Sequence, residues 1–376
     1  MKLEGLKVVD LSVFLPGPYM TLMMADHGAE VVKVEPPGGD PGREIGPEIG
    51  GETVFFRAMN RGKKSIVLDL KSENGKRALD ALVADADVFV ESFRPGVMDR
   101  LGFGPARLRA MNPRLVYCSI SAFGQDGPLR DAPAHDLAVE ARSGALTLNR
   151  GADGAPAIPG VAAADMLASL HAFGAVMTAL YRRETTGKGD RVDIAMFDAL
   201  LSAYPNQLGA ALGLKREPVH AEERSLGGAA FYKIYETADA RHVVLGGQEP
   251  KFIRNLLTAL ERPDLAALTE AGPGRHQQPL MDFLAQTFRT RTLAEWDAWF
   301  EGRDVCFSPV KGIGEALGEP QALAREMVLT DLAGEIHIGT AGRFADEPAR
   351  PTLTVPALGE HQTIYADRIP AALNED

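Results

Sequence analysis

Cysteine is nearly absent from this 376-residue chain: only Cys118 and Cys306 occur, both in apolar strand-like or loop-like stretches. That excludes a disulfide framework and argues against a cysteine-rich zinc site. Basic residues are outnumbered, 40 Lys and Arg against 51 Asp and Glu, which leaves a net charge of −11. No basic surface is advertised, so nucleic acid and anionic membrane are poor partners, and an anionic ligand needs a local cluster of basic groups. No G-x-G-x-x-G turn follows the first strand-like run, and no G-x-x-x-x-G-K-[ST] loop occurs. A nicotinamide, flavin or ATP reading therefore lacks its usual anchor. Internal repeats and low-complexity tracts are missing too. The first residues, MKLEGLKVVDLS, alternate like a strand and contain no apolar signal region. One stretch, IPGVAAADMLASLHAFGAVMTALY, approaches membrane length, but Pro159, Asp165 and His171 interrupt it and its small residues suit a buried helix. The composition, 45% hydrophobic and 24% charged, is that of a globular protein, and the expected location is cytoplasmic.

What is present is an alternation. KVVDLS, EVVKVE, SIVLDL, DVFVES and LVYCSIS read as strands, with helix-like runs such as SENGKRALDALVADA between them. The alternation predicts a parallel α/β sheet over the first 120 residues. From Asp165 to Thr186 apolar residues recur at three- and four-residue steps (Met166, Leu170, Phe173, Met177, Leu180) and Gly187 follows, so Asp165 stands at a helix start. A looser stretch, GLKREPVHAEERSLGG, reads as a linker. Beyond it FYKIYETADARHVVLGG looks like two strands joined by a short turn, and EPKFIRNLLTALERPDL like a helix. Two further helices fall around 279–288 and 293–300. The expected division is a large domain over 1–200, completed by 325–376; a linker over 201–224; a small α+β domain over 225–315; and a return linker over 316–324.

Several short stretches resemble one family. VVDLSVFLPGPYMTLMMADHGAEVVKVEPPGGDPGR, NRGKKSIVLDLK, SFRPGVMDRLGFG and NPRLVYCSISAFGQDGP are similar to the family III CoA-transferases and their racemase relatives, including α-methylacyl-CoA racemase. TTGKGDRVDIAMFDALL, FYKIYETADARHV, DVCFSPV and PALGEH match further on, in family order, so the resemblance spans essentially the whole chain. It implies a Rossmann-like large domain and a smaller α+β domain in an interlocked homodimer. The active site would lie between the large domain of one chain and the small domain of the other. The implied substrate is an acyl-CoA thioester, with coenzyme A as part of the substrate and no tightly bound cofactor or metal.

The resemblance also assigns residues. It places the racemase acid/base pair on His135, in the dipeptide His135-Asp136, and on Asp165, with Glu249 supporting the histidine. Inverting a carbon beside a thioester carbonyl requires proton removal from one face and return to the other. Two groups that can each act as acid or base near neutral pH are therefore needed. Donors for the enolate oxygen are expected from backbone N–H groups at the helix start around Asp165. Read alone, Asp165 and Asp136 are helix caps and His135 is a neighbour; His171 is expected in the core. Arg94 in SFRPGV matches a CoA-contacting position, and Arg61, Lys63, Lys64 and Arg43 are candidate phosphate partners. Solvated surface charge is the plainer reading of these, most of all for Lys64.

The same Asp165 serves the transferases as a nucleophile that forms aspartyl–acyl and aspartyl–CoA intermediates. His135, Glu249 and the short Gly-Gly of SLGGAAFYKIY favour the racemase. Val161, where such racemases carry asparagine, and Pro36, where they carry arginine, favour the transferase. A non-catalytic CoA-binding dimer is the third reading. Racemase is the favoured reading.

Overall fold

The computed structural model describes residues 1–151 and 153–365. It forms two compact units, 1–203 with the tail from 319 onward, and 204–318. The tail of the expected large domain runs to 376, and its last residues lie outside the described ones.

The larger unit is built on a six-stranded sheet. In spatial order its strands are Lys64–Val67, Glu30–Glu35, Lys7–Asp10, Val88–Glu91, Val116–Ser121 and Arg191–Ala195. Every pairing is parallel. Parallel strands are covered on both faces, which is why the inner ones read as unbroken apolar runs such as VFVE and VYCSIS, buried throughout. Five of these strands stand where the apolar runs predict. The sixth, Arg191–Ala195, is an edge strand whose burial alternates and whose sequence merges into the next helix.

Numbered along the chain, the order is 3-2-1-4-5-6, so the order of strand addition reverses between Lys7–Asp10 and Val88–Glu91. In doubly wound sheets a crevice opens at such a point beyond the carboxyl ends of the strands. Here the loop that leaves the first strand runs Leu11 to Leu15 into the helix Pro16–Asp26. Gly17 is required there, because a Cβ would collide with the Ser12 side chain. Phe14 holds a left-handed backbone, φ 63°.

A buried ionic cluster holds that loop. Lys63 donates to the Asp10 carboxylate (3.0 Å) and to the Pro18 carbonyl (3.0 Å). Lys33 donates to the Ser12 carbonyl (3.0 Å) and pairs with Asp40 at 2.6 Å. Asp10 also accepts from Ser12 and Thr21. Burial opposes ionisation of Asp10, yet the two lysines and these hydrogen bonds outweigh it and hold the carboxyl at about 2.

The helix Ala163–Thr186 is 24 residues long and ends on left-handed Gly187 (φ 69°). It is long and apolar enough to cross a membrane by length and composition alone. One face, with Ala164, Ala168, Ala172, Val176 and Leu180, is buried at helical spacing. The opposite face is not: Leu170 is 50% and Tyr181 81% exposed. The helix is thus half-buried rather than fully buried. His171 lies on the open face with Ser202 3.3 Å away, which corrects its expected place in the core; it precedes buried Ala172 by one residue, a turn of about 100° that carries it off the buried stripe.

The smaller unit has its own core. Its antiparallel sheet orders Phe307–Pro309, His242–Leu245 and Lys233–Glu236. The helices Pro250–Ala259, Gln278–Phe288 and Leu293–Phe300 pack on it through Tyr235, Leu256, Phe288 and Trp296.

The tail returns to the larger unit. His361 donates to Ser65, Gly62 to Thr354 and Val67 to Gln362. Arg57 pairs with Asp331 beside a short hairpin, Val328–Thr330 with Ile336–Ile338. The return linker expected over 316–324 contains the short helix Pro320–Ala324.

Candidate active site

A cavity of about 830 Å³ opens at the switch point of the larger sheet. Its walls come from the ends of three strands and two helix starts: Val13 and Phe14, then Ser92 to Pro95, then Ser121, with His135 and Asp165. Most other lining groups are apolar, Leu137, Leu146 and Met196 among them. The two loops nearest the switch point are tied together, since Val13 N–H donates to Ser92 Oγ at 3.0 Å. The Ser121 hydroxyl is buried in the wall without a hydrogen-bond partner, an orphan polar atom of the kind that a ligand satisfies.

His135 and Asp165 are therefore brought to one cavity from positions 30 residues apart in the chain. His135 is the residue before the helix Asp136–Ser143; it caps nothing with its side chain and stays exposed. Phe14 meets its ring edge to face at 5.7 Å. Asp165 is the third residue of the long helix, in its first turn. Burial pushes its carboxyl up to about 7, and the neighbouring carboxyls of Asp136 and Glu140 push in the same direction.

The start of the long helix differs from expectation. Its first N–H groups are not free for an enolate oxygen. Ala163 N–H donates to Glu140 Oε1 (3.1 Å), and Ala164 and Asp165 N–H donate to Asp136 Oδ1 (2.8 and 3.1 Å). Asp136 is indeed a cap, but it caps this second helix. Sequence reasoning missed Glu140 altogether. The one available signal is its spacing: two acids four residues apart share a helix face and repel, so something across from them must compensate.

Arg94 is exposed in the cavity wall, and among the described residues its guanidinium makes no side-chain hydrogen bond or ion pair. Arg130 lines the same cavity. The other expected phosphate partners are placed differently and are corrected here. Arg61 is buried against Asp26 at 2.6 Å. Lys63 is fully buried in the Asp10 cluster. Arg43 forks onto Glu35 (2.8 and 2.9 Å), reaches Glu52 (2.6 Å) and the Pro356 carbonyl (3.0 Å), and stacks 3.7 Å from the Phe56 ring centre. Their charges are paired inside the fold. A buried cation needs a buried anion, and each of these has one. Lys64 pairs with Glu30 near the surface, as expected of a surface charge.

Glu249 belongs to the smaller unit. It is exposed at the start of the helix Pro250–Ala259, in a cleft it shares with Arg224, Tyr232, Gly246 and Gln248. Among the described residues no group of three or more His, Cys, Asp or Glu side chains is arranged to hold a metal.

The fold and site define an α/β protein with a carboxyl, an imidazole and an unpaired guanidinium around an apolar cavity at the sheet's switch point. The sequence profile of CoA-transferase family III matches residues 3–362, and the chain belongs to that family. Acetyl-CoA:oxalate CoA-transferase of Acetobacter aceti is 36% identical over 87% of this chain and 85% of its own length. Human alpha-methylacyl-CoA racemase is 33% identical over 96% of this chain and 91% of its own. A CAIB/BAIF family protein from Brucella suis superposes with a TM-score of 0.84 at 31% identity, covering 97% of this chain and 99% of that one. The expected family resemblance, and the parallel α/β fold that came with it, are thereby shown.

Proposed function

We propose that this enzyme of the transferase and racemase superfamily is an acyl-CoA racemase that inverts the α-carbon of a 2-methylacyl-CoA. The observation that carries the reading is the shared cavity: His135 and Asp165 line it together, and burial and neighbouring carboxyls push Asp165 up to about 7. That suits a group that must take a proton in one direction and give one in the other. His135, on the same cavity, is the second base. In one direction His135 removes the α-proton and Asp165 protonates the enolate; in the other the roles exchange.

With the long helix already capped, the enolate oxygen takes its donors elsewhere. The helix Asp136–Ser143 has no side-chain cap, and its first N–H groups beside His135 fit that task. Arg94 holds a phosphate of the CoA part, and the apolar wall around Phe14, Leu137 and Leu146 receives an aliphatic acyl chain. Coenzyme A enters only as part of the substrate.

A second reading has its own support. Asp165 would be a nucleophile in a CoA-transferase, the activity named in the A. aceti relative. Incubating the protein with 2-methylacyl-CoA in deuterated water separates the two. Deuterium at the α-carbon without any acceptor acid supports the racemase; a hydroxylamine-trapped acyl–enzyme at Asp165 without deuterium supports the transferase.

We also propose that the protein works as a homodimer. The exposed apolar face of the long helix, with Leu170 and Tyr181, is a surface that association would cover. The family resemblance adds that the chains interlock and that Glu249 of one copy supports His135 of the other. An active monomer in sedimentation at micromolar concentration would contradict this.

A further inference from the structure

We propose that Asp136 and Glu140 form a carboxyl pair that neutralises the amino end of the long helix and so lets Asp165 hold a proton, making both of them positioning residues. The inference rests on the reading of Asp165 as the reacting carboxyl.

A first-turn aspartate normally ionises easily. The free N–H groups and dipole of a helix amino end favour negative charge there. Here the first three N–H groups of the helix are all taken by the two carboxyls of the neighbouring helix. The helix end is therefore closed off from Asp165 by two crowded carboxyls, of which Glu140 is itself pushed up by burial and by Asp136. Of the charged groups around the long helix, Asp26 is bound to Arg61, while Asp193 and Asp198 are not among those acting on Asp165. His135, Arg94 and Arg130 share its cavity. Asp136 and Glu140, which bond the first N–H groups of its helix, push it up after burial itself.

A plain structural cap explains less. Glu140 is 1% exposed, and burial and the adjoining Asp136 carboxyl push its own carboxyl up. Burying a second carboxyl against Asp136 is costly, and a glutamine or serine would cap the helix without it. The position is occupied by the residue type that is hardest to place there. Electrostatic tuning of Asp165 accounts for that; capping alone does not.

The test reads Asp165 without using activity. Melting temperatures of the parent and Asp165→Asn are compared from pH 4 to 9, first in the natural chain and then with Glu140→Gln. Glutamine keeps an acceptor for Ala163 N–H and removes the ionisable group. In the natural chain, the advantage of Asp165→Asn should grow as pH rises towards 7. With Glu140→Gln that advantage should be at least halved, or should reach its plateau about one pH unit lower. An advantage unchanged in size and pH course overturns the proposal. Asp136→Asn, which keeps an acceptor for Ala164 and Asp165, is the second variant and should act in the same direction. If the melting cycle responds but α-proton exchange is absent, the pair still tunes Asp165 and it is the racemase reading that fails.

Discussion

Asp10 and Asp165 are the same residue type in the same unit, both withdrawn from water, yet their carboxyls are driven in opposite directions. Asp10 sits between two buried lysines and two hydroxyls and is held at about 2. Asp165 sits among carboxyls, without a cation bonded to it, and is pushed to about 7. Burial alone raises both, so the neighbours decide the outcome. The difference separates a charge that holds a loop in place from one that can exchange a proton. Both lie near the same cavity: the first cluster fixes the loop carrying Val13 and Phe14, and the second prepares the group that shares the cavity with His135.

The comparison can be broken at either end. The largest expected effect is on rate. Asp165→Asn and His135→Ala should each slow racemisation by ~10²–10⁴-fold, the range of a positioned acid or base, in an assay of α-carbon inversion. Equal and undiminished turnover in either variant would remove that residue from the chemistry. Asp10→Ala should act on folding, because it leaves Lys63 buried without its anion. A loss of about 3–5 kcal/mol in denaturant unfolding is the expected scale. A loss below about 1 kcal/mol would show that the cluster is not paired as described.

The pH dependence of stability should carry both signs. Asp165 binds its proton more tightly folded than unfolded, so its contribution falls as pH rises from about 4 to 7 and is fully unfavourable above that. Asp165→Asn should therefore be more stable than the parent at pH 8, by up to about 4 kcal/mol, with little difference at pH 4. Asp10 behaves oppositely: its stabilisation is present above about 4 and is lost as pH falls towards 2. Melting curves of the two variants against pH check both slopes. The smallest effect concerns the arginines. Arg94→Ala should raise KM for acyl-CoA about tenfold, more at low salt, while leaving the melting temperature unchanged. Arg61→Ala should lower stability instead and leave KM alone in whatever fraction folds. The opposite pattern would exchange their roles.

Sequence and structure met unevenly. Five of the six parallel strands were legible because short runs rich in Val, Ile and Phe alternate with helix-like segments, and the long helix because its apolar residues keep helical spacing. The family motifs carried His135, Asp165 and Arg94 to one cavity. Arg61, Lys63 and Arg43 could not be sorted from Arg94 in the same way. A buried cation and a ligand-facing one look alike until Asp26, Asp10 and Glu35 are seen folded against them. Glu140 was invisible for a related reason. Its meaning lies in the three N–H groups it and Asp136 occupy, 23 to 29 positions further along the chain.

The central claim is that His135 and Asp165 exchange protons with the carbon beside the thioester. Mass spectrometry of a 2-methylacyl-CoA incubated with the enzyme in deuterated water tests it most directly. One deuterium at the α-carbon with no acceptor acid present, and inversion lost in Asp165→Asn, is the predicted result. An unlabelled α-carbon together with CoA transfer to an added carboxylic acid would contradict it.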